Sequence, residues 1–193
     1  YASCVVESQQ WLESHGMRED VKVVGVDSSE EAIRFASASH MIDEGIALNL
    51  EEDKAELTAE EAHLIQECDV LLSTGAIGYV TNKTINPILD EFGKNAYGAL
   101  GPVAVISVLE LFDPAPIAKA FAEHGFRFTQ LPVRMPQRRF VDAKEREGVI
   151  ETLRQRGMQA DALEYENQLF AGLCIAAKHE RFDALTECVT AVI

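Results

Sequence analysis

The chain has 193 residues, 47% hydrophobic and 25% charged, with 12 Gly and 6 Pro, which excludes disordered, collagen-like and low-complexity classes and suits one globular domain spanning 1–193. With 32 acidic residues against 17 basic ones the formal charge is −15, a balance that repels a phosphate backbone and argues against nucleic acid as a partner. The longest apolar stretches, Val103–Leu109 and Leu169–Ala177, fall short of the roughly 18 residues that span a bilayer, so no membrane helix is expected.

Val5, Val6, Gln9 and Leu12 stand at helical spacing in a first segment that ends at Gly16. Val21–Val26 follows as a β-branched strand ending at Asp27, and Ser28-Ser-Glu-Glu31 reads as a capping box opening a helix that Gly45 breaks. Ile46–Leu50 predicts a second strand running into the acidic Glu51-Glu-Asp53. Thr58-Ala-Glu-Glu61 is a second capping box, for a helix to about Glu67.

A buried strand is expected over Asp69–Thr74, broken by Gly75-Ala-Ile-Gly78. The helix after it carries Ile85, Ile88, Leu89 and Phe92 on one face, with Pro87 suited to its first turn and Gly93 at its end. A Gly-rich loop leads to Gly101-Pro102, and Val103–Leu109 is apolar on both alternations, as in a strand covered on both faces. Asp113-Pro114 then caps a helix closed by Gly125.

Phe126–Leu131 alternates apolar with polar residues and suits an exposed edge, whereas Asn167–Ala177 is apolar on both alternations and needs neighbours on both sides. The last strand is therefore expected to insert between the two before it. Segment 132–166 holds a basic knot, Arg134–Arg139, and a charged helix from about Asp142 to Arg156; it suits a lid over a substrate or a contact in a homodimer. The fold class is α/β, with a Rossmann-like open, mostly parallel sheet, helices on both faces and an antiparallel C-terminal strand next to the edge.

In such a sheet, ligands bind beyond the carboxyl ends of the parallel strands. Asp27 there suits the hydroxyls of a ribose or, equally, a turn or helix cap. Asn49 and Glu51 suit a base edge or a solvated acidic loop. In Ser73-Thr-Gly-Ala-Ile-Gly-Tyr79 two glycines let a ligand approach the backbone, with Thr74 and Tyr79 supplying hydroxyls; a plain turn is the alternative. Glu110 beside Phe112 suits a cationic or hydroxylated small molecule or, equally, a surface position. Arg138 and Arg139 suit a carboxylate or phosphate, or else pair with the acidic surface.

No P-loop or G-x-S-x-G elbow is present, and His15, His40, His63, His124 and His179 all fall on predicted helices or their ends. The four cysteines, Cys4, Cys68, Cys174 and Cys188, form no C-x-x-C pair, which predicts a reduced, cytoplasmic protein without a metal site. Cys174 is expected as an inert core thiol.

The element order, together with VKVVGVDSSEEAIRFA (21–36), DVLLSTGAIGYVTNKT (69–84) and FRFTQLPVRMPQRRF (126–140), resembles the class I S-adenosylmethionine-dependent methyltransferases over most of residues 1–178. The resemblance implies S-adenosylmethionine as cofactor. Asp27 and Ser28 would meet the ribose, Asn49, Leu50 and Glu51 would border the adenine, and Ser73, Thr74 and Gly75 would face the methionine part. Tyr79, Glu110, Phe112, Arg138 and Arg139 are the candidate acceptor residues. The family's first strand and Gly-rich turn would precede residue 1, so the chain is expected to be a fragment with two unpaired inner edges, at the Val21 and Asp69 strands. An NAD-dependent oxidoreductase and a catalytically silent binding domain are the alternative readings.

Overall fold

The computed structural model describes residues 2–15, 20–94, 101–157 and 168–192. The expected helix stop at Gly16, most of the loop before Gly101 and the strand start at Asn167 lie outside them. The chain divides into two compact units, Tyr1–Cys68 and Asp69–Ile193. The first holds α1 (Ala2–His15), β1 (Val24–Asp27), α2 (Glu30–Ala38), β2 (Glu44–Ala47) and α3 (Ala59–Gln66). The second holds β3 (Val70–Ile77), α4 (Asn82–Phe92), β4 (Val103–Leu109), α5 (Ala115–Glu123), β5 (Phe126–Arg139), α6 (Ala143–Gln155), β6 (Gln168–Lys178) and α7 (His179–Val192). The result is a mixed, broadly Rossmann-like α/β alternation. Among the described residues no helix is long and apolar enough to cross a membrane.

In the first unit β1 and β2 are parallel, with Gly25 opposite Gly45. A Cβ on Gly45 would stand 2.4 Å from Ile33 Cγ2, and one on Gly25 2.9 Å from Ile42 Cδ1, so the paired glycines make a flat seat for two isoleucines. Gly45 is therefore a strand residue that admits close packing, not the breaker expected, and α2 already ends at Ala38. The start of α2 also moves by one residue. Asp27 Oδ1 accepts the Ser29 amide at 2.8 Å, which leaves Ser29 as the cap, its Oγ accepting from the Ala32 amide at 3.2 Å. At α3 the expected box forms: Thr58 Oγ1 accepts from the Glu61 amide at 3.2 Å and Glu61 Oε2 from the Thr58 amide at 2.8 Å, a cap of about 1 kcal/mol.

The second unit is built on a four-stranded sheet in the order β3-β4-β6-β5. β3 and β4 are parallel, and β6 runs antiparallel to both β4 and β5, which is the inserted last strand that the patterning predicts. The reason is burial. VAVISVL and QLFAGLCIAAK are buried on both alternations almost throughout, and only interior positions offer that cover. Helices supply it on both faces. Phe182 of α7 packs on Val103 and Ala177, while Phe121 of α5 meets Phe126 edge-on at 5.6 Å and Phe92 of α4 stacks on Phe126 at 6.0 Å.

Three boundaries in this unit differ from expectation. β5 does not stop at Leu131 but runs through Pro132 and Pro136 to Arg139, with register shifts at Gln130/Arg134 and Pro136/Arg138. An edge strand tolerates proline because its outward amides have no ladder partner, so the basic knot is strand. β3 likewise continues past Gly75 to Ile77 through an irregularity after Thr74. Pro87 lies beyond the first turn of α4, because Thr81 caps the helix with its Oγ1 accepting from the Lys83 amide at 3.2 Å. Among the described residues β1 pairs only with β2, and β3 only with β4; on β3, Val70 and Leu72 are 58% and 67% exposed.

Candidate functional site

In the first unit the fold brings Asp27 and Ser28 beside the residues that follow β2, because β1 and β2 end together at Asp27 and Ala47 and the Leu48 amide donates to the Asp27 carbonyl at 3.0 Å. Asp27 is exposed. Its Oδ1 is taken by the Ser29 amide, which leaves Oδ2 facing solvent without a partner among the described residues, as a ribose hydroxyl would require. Asn49 is less available: its Nδ2 donates to Glu52 Oε1 at 3.0 Å and its Oδ1 accepts from the Glu51 amide at 3.2 Å. That carboxamide closes the acidic turn, and Leu50 beneath it is buried.

In the second unit Ser73, Thr74 and Gly75 lie at the carboxyl end of β3, beside β4. The two glycines there are covered by the chain itself. A Cβ on Gly78, whose φ is +112°, would fall 2.0 Å from Phe112 Cε2, so the Phe112 ring lies flat on that backbone. A Cβ on Gly75, at φ +70°, would stand 3.1 Å from Gln137 Nε2. The Gly75 amide is also engaged, donating to Ser107 Oγ at 2.9 Å, and the Ser107 hydroxyl points on to Gln137 Oε1 at 3.5 Å. The expectation that these glycines open the backbone to a ligand is thus corrected: their space admits Phe112 and Gln137.

The acceptor candidates Tyr79, Glu110, Phe112 and Arg138 belong to this same end of the sheet. Glu110 is held bidentate by Arg134, Nε to Oε1 at 2.5 Å and Nη2 to Oε2 at 3.0 Å, and the same guanidinium lies 4.4 Å above the Phe170 ring. Arg156, at the end of α6, donates to the Glu110 carbonyl at 2.7 Å. A cavity of about 70 Å³ at this point is lined by Glu110, Phe112, Gln130 and Arg156. Val149 of α6 packs against the cluster of Leu109, Phe140 and Leu169.

Arg138 spends its donors on Glu145, at 2.6 and 3.1 Å, and on the Arg139 carbonyl at 3.1 Å. Its guanidinium is held above the ordinary value, first by the Glu145 hydrogen bond and in smaller part by the Tyr79 phenol. Glu145 is pulled down to about 2 by Arg138 and then by the Val141 amide. Arg138 therefore serves the ion pair that was the alternative for it, whereas Arg139 is exposed and has no side-chain partner among the described residues.

A shallow groove of about 460 Å³, lined by Phe126, Phe128 and Phe182, lies at the amino end of β5, opposite the end where ligands of such sheets bind. His124 caps α5 through its Nδ1 on the Ala120 carbonyl at 2.7 Å, in keeping with a structural role. Among the described residues no group of three or more His, Cys, Asp or Glu is placed to hold a metal ion. Ser107 and Gln137 escaped the sequence reading, although a lone hydroxyl inside VAVISVL is a visible signal. No protein-family model matches the chain, and no curated protein matches it in sequence.

Proposed function

We propose that the chain belongs to an S-adenosylmethionine-dependent methyltransferase acting on a small-molecule acceptor. The observation that carries this reading is the strand order β3-β4-β6-β5 with β6 antiparallel to its neighbours, which matches the arrangement the resemblance implies and disfavours an NAD-dependent oxidoreductase, whose sheet is mostly parallel in the order 3-2-1-4-5-6. Asp27 fits a ribose through its free Oδ2. Gly75 is the weaker of the implied cofactor residues, since its amide is spent on Ser107.

The bound cofactor would supply an activated methyl group on a sulfonium. The chain's own work is then orientation and exclusion of water. Phe112 and α6 shield the end of β4, Tyr79 presents its phenol, and Arg134 fixes the Glu110 carboxylate in place. Arg139 offers a charge to an anionic acceptor.

Calorimetric titration of S-adenosylmethionine, S-adenosylhomocysteine and NAD into the full natural chain tests the reading. Both sulfur compounds bind and NAD does not, and Asp27→Ala weakens them by about 1–3 kcal/mol, the range for a hydrogen bond to a charged group. Binding of NAD alone would replace this reading with the oxidoreductase one.

A further inference from the structure

We infer that the cavity at the carboxyl end of β4 is a binding site for a small carboxylate, held by the Arg156 guanidinium and the Gln130 carboxamide. Its role as the seat of the acceptor's carboxylate rests on the methyl-transfer reading above, and it names the substrate class: acceptors that carry a carboxylate.

The backbone opens this site on one face of the sheet. Val108 and Glu110 share a face of β4, because side chains alternate along a strand, and Gly172 of β6 stands opposite Val108. From the other side β5 brings Gln130 to the same place. A Cβ on Gly172 would fall 2.3 Å from Gln130 Nε2, so the missing side chain of Gly172 is what lets the carboxamide lie across β6. Gln130 lines the cavity of about 70 Å³ together with Val108, Glu110, Phe112, Pro114 and Arg156. That is room for about two waters at about 30 Å³ each, or for a carboxylate and the carbon that bears it.

The hydrogen bonds of the walls decide the sign of the ligand. Glu110 presents both carboxylate oxygens to Arg134, so its charge is already met and a cation gains little there. Arg156 donates through Nη1 to the Glu110 carbonyl at 2.7 Å, and its remaining guanidinium N–H groups meet no acceptor among the described residues. The Gln130 carboxamide likewise makes no hydrogen bond among them. A guanidinium with uncommitted donors beside a neutral amide donor selects a carboxylate. Phe112 and Pro114 give its carbon end apolar walls, which an inorganic phosphate would not use.

The test titrates the full natural chain with propionate, propionamide, propylammonium and inorganic phosphate, at constant ionic strength set with chloride. NMR follows the Arg156 Nε–Hε and the Gln130 side-chain amide signals. Both residues are exposed, so Arg156→Gln and Gln130→Ala should fold as the wild type does, which urea midpoints check. Gly172→Ala is a third variant: its methyl displaces the flexible end of Gln130 and removes no donor. The expected result is saturable shifts with propionate and weaker binding of the other three probes. Arg156→Gln raises the saturating propionate concentration about tenfold or more, and Gln130→Ala about threefold or more. Gly172→Ala raises it as well.

Tighter binding of propionamide, propylammonium or phosphate than of propionate would overturn the assignment. Undiminished propionate binding in Arg156→Gln or Gln130→Ala would do the same, as would the absence of saturable shifts. With S-adenosylhomocysteine present, propionate affinity stays unchanged or rises; competition between the two would give the cavity to the cofactor's own carboxylate and overturn the acceptor role. A wild type that binds propionate but not S-adenosylhomocysteine would bring down the methyl-transfer reading and leave the carboxylate site standing, an outcome distinct from these.

Discussion

Replacing Gly78 with Ala puts two costs on one position, and the structure allows them to be separated. At φ +112° an L side chain strains the backbone, and the new Cβ would lie 2.0–2.3 Å from three atoms of the Phe112 ring. The backbone contribution is about 1–2 kcal/mol. The ring cannot yield freely, because Phe112 packs on Leu109, Phe140 and Leu169, and overpacking of this kind costs about 1–3 kcal/mol more. Gly157 is the reference: its φ is +71°, close to the allowed left-handed region, and no described residue lies within 4 Å of its Cβ position, so Gly157→Ala carries only a backbone cost, smaller than that at +112°. Urea denaturation midpoints should therefore show Gly78→Ala the more destabilised by about 1–3 kcal/mol. That excess should fall by about 1–3 kcal/mol in a Phe112→Ala background, to the difference in backbone strain alone. Equal destabilisation of the two Gly variants, or an excess undiminished by loss of the ring, would refute the packing argument.

Two further outcomes follow from the titrating groups. Cys174 is buried at the centre of β6, and burial pushes its thiol up to about 11; mass-spectrometric mapping after iodoacetamide treatment at neutral pH should find it unmodified in the folded protein, with exposed Cys4 alkylated. Modification of Cys174 as fast as Cys4 would contradict that burial. Glu145, held at about 2 against an ordinary 4.5, contributes stability that is present above its unfolded value and lost as pH falls through that interval. The stability difference between wild type and Glu145→Gln should accordingly shrink from about pH 4.5 downward, and a difference that stayed constant across that range would remove the Arg138 pair as its source.

Strand interiors were legible in the sequence because burial on two faces demands apolar residues at every position, as in Val103–Leu109, and no other arrangement satisfies them. The edge strand was read only as far as its clear alternation, Phe126–Leu131, and continues to Arg139. Pro132 and Pro136 end an interior strand but not an outer one, and which kind β5 is depends on β6, some forty residues later in the chain. The glycines show a similar limit. Gly45 and Gly78 announce only that a side chain is unwelcome; whether an isoleucine, a phenylalanine or a ligand takes the space is decided by elements distant in sequence. Asp27 was correctly placed at a strand end, since the β-to-α switch is local. Arg138 was not free for a ligand, because its partner Glu145 belongs to the following helix.

The most direct test of the methyl-transfer account is a backbone-resolved NMR titration of the full natural chain with S-adenosylhomocysteine. The account predicts saturable shifts at the amides of Ser28, Ser29 and Leu48 around Asp27, with the saturating concentration raised by about tenfold or more in Asp27→Ala. Shifts confined to the groove around Phe126 and Phe182, or none at millimolar ligand, would contradict it.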